Sequence, residues 1–275
     1  MSGEIGSARI SGLGGINNSI ARDDPQANPA GLASSKDSKV MSTYEERFSG
    51  SLTDGSLCMT LKNLAFKVDY VTVPGIEKYN EAGDREGETS LNEWYLSAMY
   101  GLQLSQALSL GAGVNMISRS ANRQSNFGGS ISLGAQYRLS DTISLGAVVD
   151  DIGAQSSLNR QGRTHLIPTT LRAGLQVSPF EKIHLVGGGA FAGTLRPEWS
   201  LGAEYDLLNS DNLELSVRAG YDGGRRLYGP LSIGFGVNIQ GMVQLDYANN
   251  VHPVLGNTSV FSLTFAIDKL FRQPQ

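Results

Sequence analysis

The sequence predicts an all-β protein, a transmembrane antiparallel β-barrel of about 14 strands with a small N-terminal helical plug. Two observations carry that prediction. Side chains alternate between apolar and polar through stretches of roughly ten residues, the length a tilted strand needs to cross a membrane. The links between those stretches alternate between short and long, the habit of barrels whose two rims face different compartments.

The alternation is plainest in Leu108-Ser-Leu-Gly-Ala-Gly-Val-Asn-Met116. Its apolar set is Leu108, Leu110, Ala112, Val114 and Met116, and its intervening set is Ser109, Gly111, Gly113 and Asn115. Successive strand side chains point to opposite faces, so one face is apolar and the other small and polar. The pattern recurs in residues 131–139, 143–150, 171–177, 199–205, 213–221, 231–239 and 261–267. The tetrapeptide Ser-Leu-Gly-Ala occurs four times, from Ser109, Ser132, Ser144 and Ser200. Its irregular intervals fit one strand grammar reused around a closed sheet, whereas a solenoid keeps a nearly fixed period.

Strands are expected at 39–48, 52–60, 63–73, 91–103, 108–118, 127–139, 142–151, 165–177, 183–192, 197–206, 212–222, 230–239, 242–248 and 258–267. Their number is even, as bacterial single-chain barrels require. Short links such as Lys62-Asn63, Ser140-Asp141 and Gln240-Gly241 fall on the side where both barrel ends lie, which would be the periplasm. Longer ones, 74–90, 119–126, 152–164, 223–229 and 249–257, fall on the other. The 74–90 link is acidic and reads as a solvated loop. Tyr44, Tyr70, Trp94, Tyr95, Tyr137, Trp199, Tyr205, Tyr221 and Tyr247 near strand ends are expected to form aromatic girdles at the membrane interfaces. A soluble β-sandwich also alternates, but its strands are usually only about five or six residues long.

Residues 1–36 form the expected plug and 37–275 the barrel. The first part is rich in small residues and does not alternate, and Asn28 before Pro29 reads as a helix N-cap with proline at the first helical position. A barrel of about 14 strands has a lumen too wide for its own side chains to fill. A compact segment could close it, with inward glycines letting backbone approach the wall.

Composition limits the function. Charged residues make up 17% of the 275, below the roughly 25% of soluble domains, and the net charge is −4. That leaves no basic footprint for nucleic acid. The single cysteine, Cys58, excludes an internal disulfide and a cysteine-rich metal site, and reads as a packed or lipid-facing side chain. No stretch has the 18 or so apolar residues of a transmembrane helix. The start, Met1-Ser-Gly-Glu-Ile-Gly-Ser, lacks the basic and apolar regions of an export signal, so the chain is expected to be a mature sequence with its leader removed.

Several segments resemble the PorV/PorQ-like outer-membrane proteins, which are related to FadL-type transporters of hydrophobic compounds. The first runs from Ala8-Arg9 through Gly12-Leu13-Gly14-Gly15 and Ala21-Arg22-Asp23-Asp24 to Asn28-Pro29-Ala30-Gly31-Leu32. The second joins Asp151-Ile-Gly153 to Leu166-Ile-Pro168-Thr-Thr-Leu-Arg172-Ala-Gly174. The third comprises Leu215-Ser-Val-Arg218-Ala-Gly220-Tyr221, Gly234-Phe-Gly236, Leu245-Asp246-Tyr247-Ala248, Leu255-Gly256 and Ser262-Leu-Thr-Phe265. The resemblance implies a fourteen-stranded FadL-like barrel in the bacterial outer membrane with an N-terminal hatch, whose plug motif is Asp23, Asp24, Asn28, Pro29 and Ala30.

Enzymatic signatures are missing: there is no Gly-x-Ser-x-Gly, phosphate-binding loop or His-Glu-x-x-His, and His165, His184 and His252 are scattered singly. Neither a cofactor nor a metal is expected. By alternation, Arg138, Asp150, Arg172, Glu204, Asp206, Glu214, Arg218 and Asp246 share the lumen face. Buried charges need partners, so the plain reading is a paired network across the lumen or to the plug. The sharper one has Arg172 and Arg218 hold the carboxylate of an amphipathic ligand such as a fatty acid, with Asp23, Asp24 and Asn28 anchoring the plug to these arginines. The implied partners are membrane lipid and a hydrophobic small molecule that is bound or transported. The alternative is a non-enzymatic PorV-like component of a protein-secretion system, with secretion proteins as partners.

Overall fold

The computed structural model describes residues 5–15, 24–25, 27–50, 52–80, 82–121, 124–156, 164–193, 197–210, 212–224, 229–252 and 254–270. Its strands are β1 (Lys39–Arg47), β2 (Leu52–Leu61), β3 (Leu64–Tyr79), β4 (Arg85–Gln103), β5 (Leu108–Ala121), β6 (Gln124–Arg138), β7 (Ile143–Ser156), β8 (Thr164–Ile167), β9 (Thr170–Phe180), β10 (Ile183–Ala192), β11 (Glu198–Asn209), β12 (Leu213–Asp222), β13 (Leu231–Ile239), β14 (Val243–Val251) and β15 (Thr258–Ala266). All belong to one 15-stranded sheet. Neighbours in sequence pair antiparallel except β8 and β9, which both pair with β7, and β15 pairs back onto β1, from Lys39 opposite Ala266 to Glu46 opposite Ser259. The sheet therefore closes into a 14-strand antiparallel barrel, with β8 as one extra strand.

Sorting of side chains across the wall is the reverse of a soluble protein's. On β5, Val114 and Met116 are 58% and 62% exposed, while Asn115 between them is 8% exposed. Lipid imposes this arrangement, apolar outward and polar inward. Outward rings meet across adjacent strands: Tyr70 with Trp94 at 4.5 Å, Trp199 with Tyr221 at 5.4 Å, and Tyr247 with both Phe235 at 5.4 Å and Phe261 at 4.7 Å. Among the described residues no helix is long and apolar enough to cross a membrane.

One rim carries the short turns 62–63, 104–107, 139–142, 181–182, 210–212 and 240–242, together with the start of β1 and the end of β15. Serine closes three of them in the same way. The hydroxyls of Ser105, Ser140 and Ser210 accept the backbone N–H of Leu108, Ile143 and Leu213 at 3.0, 3.1 and 3.2 Å. Such side-chain turns fix the reversal locally, so the next strand starts in register.

Three sequence expectations change on the opposite rim, and the first is the 119–126 link, most of which is strand because β5 and β6 stay paired up to Ala121 opposite Gln124. The 74–90 link is mostly strand, because the β3–β4 ladder resumes at Ile76 opposite Thr89 and runs to Tyr79 opposite Arg85. Pro74-Gly75 sits in a register shift between Val73 and Ile76, where a bulge accommodates proline and glycine. The reversal is at 80–84, held by the Asn80 Oδ1 that accepts the Asp84 N–H at 2.8 Å. The expected strand 165–177 is divided at Pro168-Thr169 into β8 and β9. Proline has no N–H for the ladder, and β7 bulges opposite β6 at the same level, with Asp151 at φ 60°.

The N-terminal segment lies against the inner wall in two pieces. Helix α1 (Ala8–Gly12) is capped by the Ser7 hydroxyl and touches β12, β13, β14 and β15. A 3-10 turn (Pro29–Ser34) is capped by Asn28, whose Oδ1 accepts the Ala30 N–H at 3.0 Å, and touches β4, β5 and β6. Its Leu32 packs on inward Met41, Cys58, Ala65 and Met99, so Cys58 is a packed lumenal side chain. Val114→Arg places a cation on the lipid face near mid-strand. It is expected to lower unfolding free energy in a lipid-vesicle refolding titration by about 2–4 kcal/mol.

Candidate functional site in the barrel lumen

The inner wall of β11, β12 and β14 presents Glu204, Arg218 and Asp246. The register places Glu204 directly opposite Arg218, and the Arg218 side chain reaches across β13 because Gly236 leaves its path open. Arg218 Nε donates to Glu204 Oε2 at 2.5 Å, Nη1 to Asp246 Oδ1 at 2.6 Å and Nη2 to the Ser216 hydroxyl at 2.8 Å. Gln244 donates to the other Asp246 oxygen at 2.7 Å. All three charged side chains are buried. Arg9 of α1 completes the group. Its Nε donates to Glu204 Oε2 at 2.9 Å and its Nη2 to Oε1 at 2.7 Å, so Glu204 is clamped between one arginine of the wall and one of the N-terminal segment. Two cations and two carboxylates then balance in a place where an unpaired charge would be strongly destabilising.

Further polar contacts tie the same segment down. The Ala8 N–H donates to the Ser262 hydroxyl at 2.9 Å, the Ser232 hydroxyl to the Gly12 carbonyl at 3.1 Å, and Asn250 Nδ2 to the Ser11 hydroxyl at 2.9 Å. Lys67 of β3, buried beside Asp69 at 3.1 Å, donates to the Ile5 carbonyl. On the far side, Asn28 Nδ2 donates to the Ala135 carbonyl at 3.0 Å. Backbone passes close to the wall where glycine permits it: a Cβ on Gly111 would overlap Pro29 and Ala30, and one on Gly220 would overlap Leu13 and Gly14.

The structure brings together Glu204, Arg218 and Asp246 of the sequence-predicted set, and pairs Arg172 with Asp150, Nε to Oδ2 at 2.5 Å, on a separate stretch of wall. Arg138 and Glu214 are exposed at the short-turn rim and join neither group; Glu214 accepts from Asn238 at 2.8 Å. Alternation fixes the face of a strand residue but not its depth in the barrel, which is why these two were grouped with the rest. In the plug motif, Asp24 accepts the Ser7 N–H at 2.8 Å, and Asn28 caps the 3-10 turn that Pro29 and Ala30 begin. Asp23 lies outside the described residues. Sequence reasoning missed Arg9 and Lys67. Arg9 belongs to the opening motif, and its charge among the small and apolar residues 5–15 was the available signal.

The same cluster borders a cavity of about 320 Å³ that opens toward the short-turn rim and is lined by polar and charged groups, among them Lys39, His184, Asp206 and Asn238.

Solved structures share the whole architecture. The Pseudomonas putida toluene transporter TodX superposes with a TM-score of 0.61 at 14% identity, covering 94% of this chain and 96% of that one. The chain has a FadL-type barrel fold. The Ralstonia pickettii toluene transporter TbuX gives 0.62 at 12% identity over 94% and 98%, and a Pseudomonas aeruginosa FadL homologue 0.60 at 14% over 95% and 98%. No protein-family model matches the chain, and no curated protein matches it in sequence.

Arg9→Met removes the clamp while leaving Glu204 its wall partner. Loss of charged hydrogen bonds of about 1.5–3 kcal/mol is expected to speed amide exchange in residues 5–15 by about ten- to a hundredfold, read by hydrogen–deuterium exchange, with the barrel strands unchanged. Gly220→Val pushes the same segment off the wall, so residues 5–15 are expected to become protease-sensitive in the folded barrel; continued protection would contradict the close approach.

Proposed function

We propose that this protein is a non-enzymatic outer-membrane barrel that passes a hydrophobic small molecule, with residues 1–36 as its plug and residues 37–275 as its barrel. The observation that carries the reading is a closed 14-strand wall with an N-terminal segment clamped inside it through Arg9 and Glu204. A porin-like open lumen needs no such clamp. Likeness of fold to two toluene transporters and a FadL homologue supports transport of an apolar solute. On this reading the rim of short turns is periplasmic and the β3–β4 hairpin projects outward.

The wall arginines point to the character of the solute. Arg172 is held by Asp150, and Arg218 by Glu204 and Asp246. Engaged guanidiniums favour a neutral solute over a fatty-acid carboxylate, which would have to displace a wall carboxylate. Asp24 accepts from Ser7 within the N-terminal segment, while Asn28, through the Ala135 carbonyl, and Arg9 tie that segment to the wall. The narrower PorV/PorQ resemblance and the secretion-component reading rest on sequence motifs alone.

Transport is tested in cells lacking their own hydrophobic-solute channels. Expression of the chain is expected to raise initial uptake of labelled toluene above the empty-vector level, with labelled oleate raised less; toluene uptake equal to the vector control refutes the proposal. In planar bilayers, deletion of residues 1–36 is expected to convert a closed protein into one with steady single-channel conductance. A stoichiometric large protein recovered with the chain from native membranes would favour secretion instead.

A further inference from the structure

A second polar group on the same wall takes no part in clamping the plug through hydrogen bonds of its own. Ser178 of β9, His184 of β10 and Asp206 of β11 lie near the short-turn rim on the lumen face. The β9–β10 register shifts between Ile183 and Leu185, so His184 stands at an irregularity and its ring lies between the two neighbouring strands. Nδ1 is 2.8 Å from the Ser178 hydroxyl, which also accepts from Gln176 at 3.2 Å. Nε2 faces Asp206 Oδ2 at 3.4 Å.

That last distance is informative. A charge-assisted N–H···O hydrogen bond is about 2.7–2.9 Å long, so 3.4 Å is slack for one. Two ligands held about 2.0–2.1 Å from a tetrahedral zinc ion lie about 3.4 Å apart. His184 is also the direct cross-strand partner of Glu204, and one donor atom from each of His184, Glu204 and Asp206 can be chosen so that all lie within 4.8 Å of one another. With the ring proton on Nδ1, the Ser178 hydroxyl would accept it as the outer partner of a metal-bound histidine does, leaving the Nε2 lone pair for an ion.

Charge points the same way. Arg9 and Arg218 are matched by Glu204 and Asp246, so among the described residues the Asp206 carboxylate has only His184 as a partner. Lys39 and Lys269 line the adjoining cavity against Asp37 and Glu214. The cavity supplies room for water to complete the coordination. A serine, a histidine and an aspartate in a row also suggest a nucleophilic relay, but there the carboxylate must orient the ring at hydrogen-bond length, and Asp206 stands too far off.

We propose that His184 Nε2 and Asp206 Oδ2, with Glu204 as a third and weaker donor, form a lumenal site for a zinc-type divalent cation. Imidazole selects late first-row ions; magnesium and calcium prefer oxygen donors throughout. Glu204 is weaker because its oxygens already accept from two arginines. The inference does not depend on what the barrel transports.

The test uses the full chain refolded in detergent, with folding checked by unheated gel mobility. Zinc titrated by calorimetry is expected to fill one saturable site per chain, and cobalt in its place to give visible absorption bands of a nitrogen-and-oxygen-ligated ion. His184→Ala and Asp206→Asn should each weaken binding by more than about tenfold, and Ser178→Ala by about tenfold. The chain's other histidines serve as the control, because the double variant His165→Ala with His252→Ala should bind zinc as the parent does. Absence of saturable binding overturns the proposal, as does binding untouched by both His184→Ala and Asp206→Asn, or binding lost in the His165/His252 variant.

Discussion

Everything in this structure follows from the need to pair backbone N–H and C=O groups where no water can reach them. In hydrocarbon an open sheet edge leaves a row of such groups unsatisfied at several kcal/mol each, so the pairing of β15 with β1 is what allows the other strands to exist as they do. Closure at 14 strands then sets a circumference, and the circumference sets a lumen that side chains alone do not fill. The N-terminal segment is the chain's answer to that leftover space.

Filling the lumen is a different problem from filling a soluble core. The wall already turns its apolar side chains outward, so the interior has serine, asparagine, glycine and charged groups to work with. Specificity comes from directed hydrogen bonds and matched charges, with small apolar contacts such as Ala8 on Ala248 and Val260, or Leu13 on Val186, packed between them. Glycine lets the inserted backbone come within contact distance of the wall, and the Arg9–Glu204–Arg218–Asp246 group fixes where it stops. Position is held electrostatically at one end, under β11 to β14, and by the 3-10 turn against β4 to β6 at the other.

Much of this was legible in the sequence because period-two alternation reports directly on a two-faced wall. The length of Leu213–Asp222, the short links of one rim and the capping role of Asn28 follow from local chemistry, whereas β5 and β6 run on to Ala121 and from Gln124 through polar residues that carry no apolar alternation. Depth along the barrel axis does not, so Arg138 and Glu214 looked the same as Arg218 until the register was known. The 74–90 stretch reads as a loop because its charges mask the strand pairing that resumes at Ile76. The contact between Arg9 and Glu204 spans 195 positions, and nothing local to either residue announces it.

That separation has a kinetic consequence. Helix α1 rests on β12, β13, β14 and β15, and the Ala8 N–H bonds to Ser262 of the last strand, 254 positions away. Helix α1 thus lacks its docking surface until the strands from β12 onward are in place. Loop closure of that span is entropically costly and becomes affordable only once the intervening ladders have formed. Seating of the N-terminal helix is therefore expected late in assembly, after the C-terminal strands that carry it have paired.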